Sequence, residues 1–309
     1  MLPSLPRRRL LAAGGTLLGS ALLPGPAHAG DAWQTVALPH ARQRDLASSI
    51  TGGRYRIFLS VPQDRDTPAP AAGYPVLYAL DGNASFPLLA QMARMAGWRS
   101  KVTGQPAPVI VGIGYATDDD YHPDRGRDYT PASAGAPATE GGADRFLDFI
   151  EKELKPLVRS LVPVDPRRQA LYGHSYGGLC ALHALFTRPA MFQTYIAASP
   201  SIWYRERAVL AGLEGFGKHA AALAVKPSVL LTAGELEQPA GAGANGATPG
   251  SRDAIAAQRR MIDEARALSA KLGAMQGTVS RAQFLLFAQE NHGSAAFPAM
   301  ARGMDFFLA

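Results

Sequence analysis

The chain has 309 residues, 47% hydrophobic and 18% charged, a balance that excludes wholesale disorder, collagen-like repeats and coiled coils. Its formal charge of +6 includes Arg7, Arg8 and Arg9 in a head segment free of Asp and Glu, so the rest carries +3, too mild for a nucleic-acid binder. Cys180 is the one cysteine, which excludes an intramolecular disulfide and a cysteine-built metal site.

Arg7 to Arg9 are followed by an apolar run, Leu10 to Leu23, then Pro24-Gly25-Pro26 and Ala27-His28-Ala29. This order describes a secretory signal peptide over residues 1–29, cleaved before Gly30. The run is too short for a bilayer, which takes about 20 residues. Arg7-Arg8-Arg9-Leu10-Leu11 resembles a twin-arginine signal, with Pro6 where Ser or Thr is usual. The expectation is a periplasmic protein, without a transmembrane segment in its mature form and with a single domain over 30–309.

Tyr55 to Val61 alternates like a strand and stops at Pro62; Asp64 to Gly73 reads as a surface loop. Val76 to Leu80 and Val109 to Gly114 are continuous apolar runs, as buried parallel strands require. Phe86 to Trp98 has helical spacing, and 116–142, polar and rich in Pro and Gly, reads as an excursion from the fold. A helix is expected over Phe146 to Leu157, a strand at Ala170 to Tyr172 and a helix from Leu179 to Phe186. Strands follow at Tyr195 to Ala198 and Val229 to Thr232, then an Ala/Gly-rich loop over 239–250. One amphipathic helix (Ala254 to Leu272), a strand (Phe284 to Phe287) and a closing helix (Pro298 to Phe307) complete the chain. Repeated β-α alternation predicts an α/β fold, a mostly parallel sheet with helices on both faces.

Gly173-His174-Ser175-Tyr176-Gly177 joins a predicted strand to a predicted helix. Gly-x-Ser-x-Gly in that context is the nucleophile elbow of an α/β-hydrolase fold, which lifts the serine hydroxyl above the sheet edge. Both glycines are expected to be required, because a Cβ at either would meet neighbouring backbone. A serine needs a base, and in this fold the order is Ser, acid, His. Of the histidines after Ser175, His183 sits on the elbow helix and His219 in a polar stretch. His292 follows the last strand, where the base belongs; His174 reads as packing or orienting. The acid should follow the strand ending at Thr232, where Gly234-Glu235-Leu236-Glu237 offers two carboxylates. Spacing from the glycine favours Glu237, with Glu235 second and a Ser-His dyad as the third arrangement. The oxyanion donors are expected to be the backbone N–H groups of Tyr176 and Asn83, the latter in the loop after the strand ending at Leu80. No histidine spacing suggests a metal site.

These residues resemble the esterase D and ferric enterobactin esterase family, most of all its periplasmic salmochelin and enterobactin esterases. The resemblance runs from Arg54 to the C-terminus. It is carried by Arg54-Tyr55-Arg56-Ile57, Pro75 to Asn83, Arg127-Asp128-Tyr129-Thr130-Pro131 and Gly173 to Gly178. Ser199 to Tyr204, Gly234 to Gln238 and Glu290 to Ser294 complete it. It implies an α/β-hydrolase fold, no cofactor, and hydrolysis of ester bonds in a cyclic tri-serine lactone bearing catechols. Some members of the group lack a well-placed acid. Ferric tris-catecholates are anionic, so Arg127, Trp203, Tyr204 and Arg205 are candidate substrate contacts. The same scaffold serves carboxylesterases and acyltransferases acting on carbohydrate acyl or feruloyl esters, and a non-catalytic siderophore binder is a third reading.

Overall fold

Apolar runs bounded by turn residues become the interior of one sheet, and helix-spaced runs cover it. The computed structural model describes residues 33, 35–62, 69–239 and 250–309. The signal segment, part of the 64–73 loop and most of the 239–250 loop therefore lie outside the described residues. Leu38–Ala309 is one compact unit and carries the fold.

The strands are β1 (Ala41–Ala47), β2 (Arg54–Ser60), β3 (Tyr74–Leu80), β4 (Val109–Tyr115), β5 (Val164–His174), β6 (Thr194–Ala198), β7 (Ser228–Gly234) and β8 (Arg281–Phe287). They line up as β1-β2-β4-β3-β5-β6-β7-β8. β1 and β2 are antiparallel to their neighbours, and every pair from β4 to β8 is parallel. β4 is buried at all seven residues, whereas β1, Ala-Arg-Gln-Arg-Asp-Leu-Ala, is not buried at any. β1 was not among the expected strands. A charged edge strand lacks the apolar signal because its outer side stays in water, which also blocks further strand pairing.

Helices α1 (Gly82–Thr103) and α10 (Ala296–Leu308) pack on one face of the sheet. The other face is covered by α3 (Ala143–Phe149), α4 (Lys155–Leu161), α5 (Tyr176–Thr187), α7 (Leu213–Ala221) and α9 (Met261–Ala274). Three short elements join these: α2 (Arg125–Tyr129), α6 (Tyr204–Arg207) and α8 (Arg252–Arg259). The expected helix over 254–272 is two helices, because Arg260 takes a left-handed conformation (φ 49°) between α8 and α9. The 116–142 segment is no detached excursion. Asp128, Tyr129 and Thr130 are buried, and the Tyr129 hydroxyl accepts the Asp81 N–H at 3.0 Å. The loops following β3, β5, β6, β7 and β8 meet at the carboxyl ends of the parallel strands, where open α/β sheets place their ligand sites.

Candidate active site

β5 runs straight into α5 at Ser175, whose backbone is strained (φ 59°, ψ −115°). A Cβ on Gly173 would lie 2.1 Å from the Gly177 carbonyl oxygen, and one on Gly178 would lie 2.9 Å from that of Ala198. At Gly177 the nearest atoms would be at 3.4 and 3.5 Å, an ordinary contact. The turn therefore requires glycine at 173 and 178, not at both ends of the Gly-x-Ser-x-Gly pattern. The Ser175 N–H donates to Ala198 O, and its carbonyl accepts from Leu179 and Ser201.

The structure brings Ser175, His292 and Glu237 into one hydrogen-bonded chain. His292 Nε2 is 3.1 Å from Ser175 Oγ, and His292 Nδ1 is 2.8 Å from Glu237 Oε2. A carboxylate only accepts, so Nδ1 carries the proton and Nε2 is left to accept from the serine. The second carboxylate oxygen, Oε1, accepts from Ser199 Oγ at 2.5 Å and from the Gly234 N–H at 2.6 Å. Burial would raise the Glu237 pKa, but the His292, Ser199 and Gly234 donors together hold it below its ordinary value. Glu235 is exposed and accepts the Gln289 N–H at 2.9 Å, so it braces the loop toward His292 without reaching the imidazole.

His174 is also committed. Its ring lies 4.7 Å from that of His292, and its Nε2–H donates to the His292 carbonyl at 2.8 Å. Burial, with the neighbouring His292 adding to it, pushes its pKa down to about 4, so it stays a neutral donor that fastens the base loop.

Tyr176 and Asn83 lie in the first turns of α5 and α1, where backbone N–H groups have no partner within the helix. The Asn83 side chain is taken up by β4. Its Oδ1 accepts the Tyr115 N–H at 2.9 Å, and its Nδ2 donates to Tyr115 O and Thr117 O at 3.2 and 2.9 Å. That clamp fixes the turn between β3 and α1.

The arginine beside this corner is Arg125, which sequence reasoning missed. Its guanidinium grips the buried Asp81 carboxylate with two bonds of 2.7 Å and lies over the rings of Tyr121, Tyr129 and Tyr176 at 5.3 to 5.7 Å. Arg127, the expected contact, is instead spent on Asp128 at 2.8 Å and Asp124 at 3.2 Å. Two residues apart on a helical turn point to nearly opposite sides, so only one arginine of Arg125-Gly126-Arg127 can face the serine.

Trp203 is half-buried, 6.3 Å from the Tyr176 ring, and Arg259 of α8 stacks on its indole at 4.2 Å. Tyr204 does not offer a free face. It is 3% exposed, donates its hydroxyl to Glu140 at 2.6 Å and meets Tyr176 edge-on. Arg205 is exposed but paired with the same Glu140 at 3.0 Å. Burial drives the Cys180 thiol well above its ordinary pKa, so it is inert packing.

A hydroxyl, an oriented imidazole and an ionised buried carboxylate in this order suit acyl transfer from an ester. The family described as "Esterase: Putative esterase" matches residues 48–284. The chain belongs to this esterase family. It is 36% identical over 281 residues to the Bacillus subtilis ferri-bacillibactin esterase BesA, covering 88% of this chain and 90% of that one. It is 37% identical over 291 residues to an Aspergillus fumigatus siderophore triacetylfusarinine C esterase, covering 90% and 97%. Among solved structures, the BES protein from Bacillus cereus superposes with a TM-score of 0.78 at 32% identity, over 90% of this chain and 98% of that one. The protein is an α/β-fold serine esterase of the siderophore esterase group.

Proposed function

We propose that the protein hydrolyses the ester bonds of catecholate siderophore trilactones, with Ser175 as nucleophile. The observation that carries this reading is the Ser175–His292–Glu237 chain opening beside an aromatic and guanidinium wall. The Ser175 oxygen attacks the ester carbonyl carbon while His292 Nε2 takes the hydroxyl proton. Glu237 stabilises the imidazolium across Nδ1–H, and the carbonyl oxygen, now an anion, accepts from the Tyr176 and Asn83 N–H groups. Collapse breaks the ester C–O bond and His292 returns the proton to the leaving serine hydroxyl. Water then repeats the sequence on the acyl-enzyme and releases the acid. Iron enters as part of the substrate.

The Arg125–Asp81 pair lies against Tyr176, the residue after the nucleophile. Its guanidinium lies beside Tyr121 and Tyr176, the two neighbouring rings that keep exposed surface, and an aromatic and guanidinium lining suits catechol faces better than a sugar's hydroxyls. The basic head, apolar run and Ala27-His28-Ala29 support an exported, periplasmic form. Mass analysis of the protein from periplasmic extract tests this: a chain starting at Gly30 is expected, and one starting at Met1 would contradict it. Substrate class is tested by assaying trilactones beside acetylated and feruloylated sugars. Faster turnover of the lactone is expected, and turnover of the sugar esters alone would move the assignment to carbohydrate esters.

A further inference from the structure

The charges along the wall do not count equally. Arg125 is neutralised by Asp81, Arg205 by Glu140, Arg207 by Glu264 at 2.8 Å, and Arg260 faces Asp263 and Glu264. Arg259 is different. Among the described residues no carboxylate pairs with it, and its guanidinium carbon lies over the Trp203 ring, 4.2 Å from the ring centre. A guanidinium stacked on an indole keeps its in-plane N–H donors turned outward, free for an anion. Arg259 is exposed, and its charge still acts on the Tyr176 hydroxyl.

The position of Trp203 is held by unusual backbone. Arg205, Glu206 and Arg207 are three consecutive non-glycine residues in left-handed conformations, with φ of 46°, 53° and 68°. Such runs are costly and persist where surrounding contacts over-determine them. Here the contacts are Tyr204 and Arg205 on Glu140 and Arg207 on Glu264. The turn presents Trp203 between Tyr176 and Arg259. An occupant that reaches both Ser175 and Arg259 must therefore span the Tyr176 and Trp203 rings, which a small ester cannot do.

We propose that Trp203 and Arg259 form a second arm of the substrate site that reads the net negative charge of an iron-loaded tris-catecholate, so that the enzyme prefers the iron-loaded lactone to the iron-free one. This rests on the siderophore reading above. Three doubly deprotonated catechols around a trivalent iron leave a net anion, whereas the iron-free lactone keeps its phenol protons near neutrality and carries none of that charge. A single unpaired guanidinium remote from the scissile ester discriminates between the two without touching the chemistry.

The test is the ratio of kcat/KM for the iron-loaded over the iron-free trilactone, measured on one preparation so that misfolded protein cancels. Wild type is expected to favour the iron-loaded form, and Arg259→Gln to lower the ratio about tenfold, through KM. Arg259→Lys should recover part of the ratio, and added salt should shrink it in wild type more than in Arg259→Gln. An equal ratio in wild type and Arg259→Gln, with lactone cleaved by both, would overturn the second arm and leave the esterase reading standing. No lactone cleavage by wild type would overturn the siderophore reading and this arm with it.

Discussion

At the catalytic corner every side chain is fixed from behind, while along the wall the groups that meet solvent are fixed mainly by one another. Glu237 has three donors and is 6% exposed; His292 is tied to it through one nitrogen and to His174 through its carbonyl. Trp203 and Arg259 lean on each other above a left-handed turn. Chemistry needs positions held to fractions of an ångström, and buried polar partners supply that. Recognition of a large substrate needs exposed area, and exposed area leaves few buried partners. The expected consequence is that corner substitutions act on kcat and wall substitutions on KM.

The sharpest way to break that division is Ser175→Ala, which should lower kcat about a millionfold while KM stays within a few-fold. A comparable loss expressed as KM would end the distinction. Glu237→Gln should lower kcat on the order of 10⁴-fold, since it leaves His292 without a carboxylate to hold its tautomer. Steady-state rates on a chromogenic ester check both. Because the folded pKa of Glu237 is depressed, its ionised form contributes stability above the ordinary carboxylate pKa, and that contribution is lost as pH falls through the depressed value. Wild type and Glu237→Gln should therefore approach one another in unfolding midpoint as the solution is acidified.

The elbow offers a structural version of the same comparison. Gly173→Ala drives a Cβ into backbone and should cost on the order of 4 kcal/mol or prevent folding, whereas Gly177→Ala should stay within about 0.5 kcal/mol. Denaturant midpoints decide it. On the wall, Trp203→Ala should raise KM for a trilactone about tenfold with kcat changed less than threefold, read from full saturation curves.

The smallest expected effect lies far from both regions. Lys155 is buried over the Phe192 ring at 4.0 Å, with its ammonium on the Met191 carbonyl, and burial pushes its pKa down to about 8. The charged form is disfavoured in the folded state, so this penalty is full below about pH 8 and fades as pH rises toward the unfolded lysine value. Wild type should gain in unfolding midpoint relative to Lys155→Met between pH 8 and 10.

What could be read from the residues alone followed the same division. Buried strands such as Val109 to Tyr115 and the elbow at Ser175 announce themselves, because continuous apolar runs and a strand-turn-helix serine are local patterns. His292 and Glu237 were reachable from strand order. β1 escaped because edge strands carry polar residues, and the break at Arg260 escaped because one left-handed arginine leaves no mark on helical spacing. Arg127 lies in the matching segment Arg127 to Pro131 whereas Arg125 lies outside it, and nothing in the local sequence says that Arg125 is the one that faces the tyrosines. Arg259 lies 84 positions after Ser175 in the chain, and only the packing of α8 against Trp203 brings it to the wall.

The most direct test is to incubate the purified protein with iron-loaded and iron-free catecholate trilactones and resolve the products by mass. Stepwise appearance of linear trimer, dimer and monomer, abolished in Ser175→Ala, is the predicted result. Intact lactone alongside brisk hydrolysis of a simple aryl ester would contradict it.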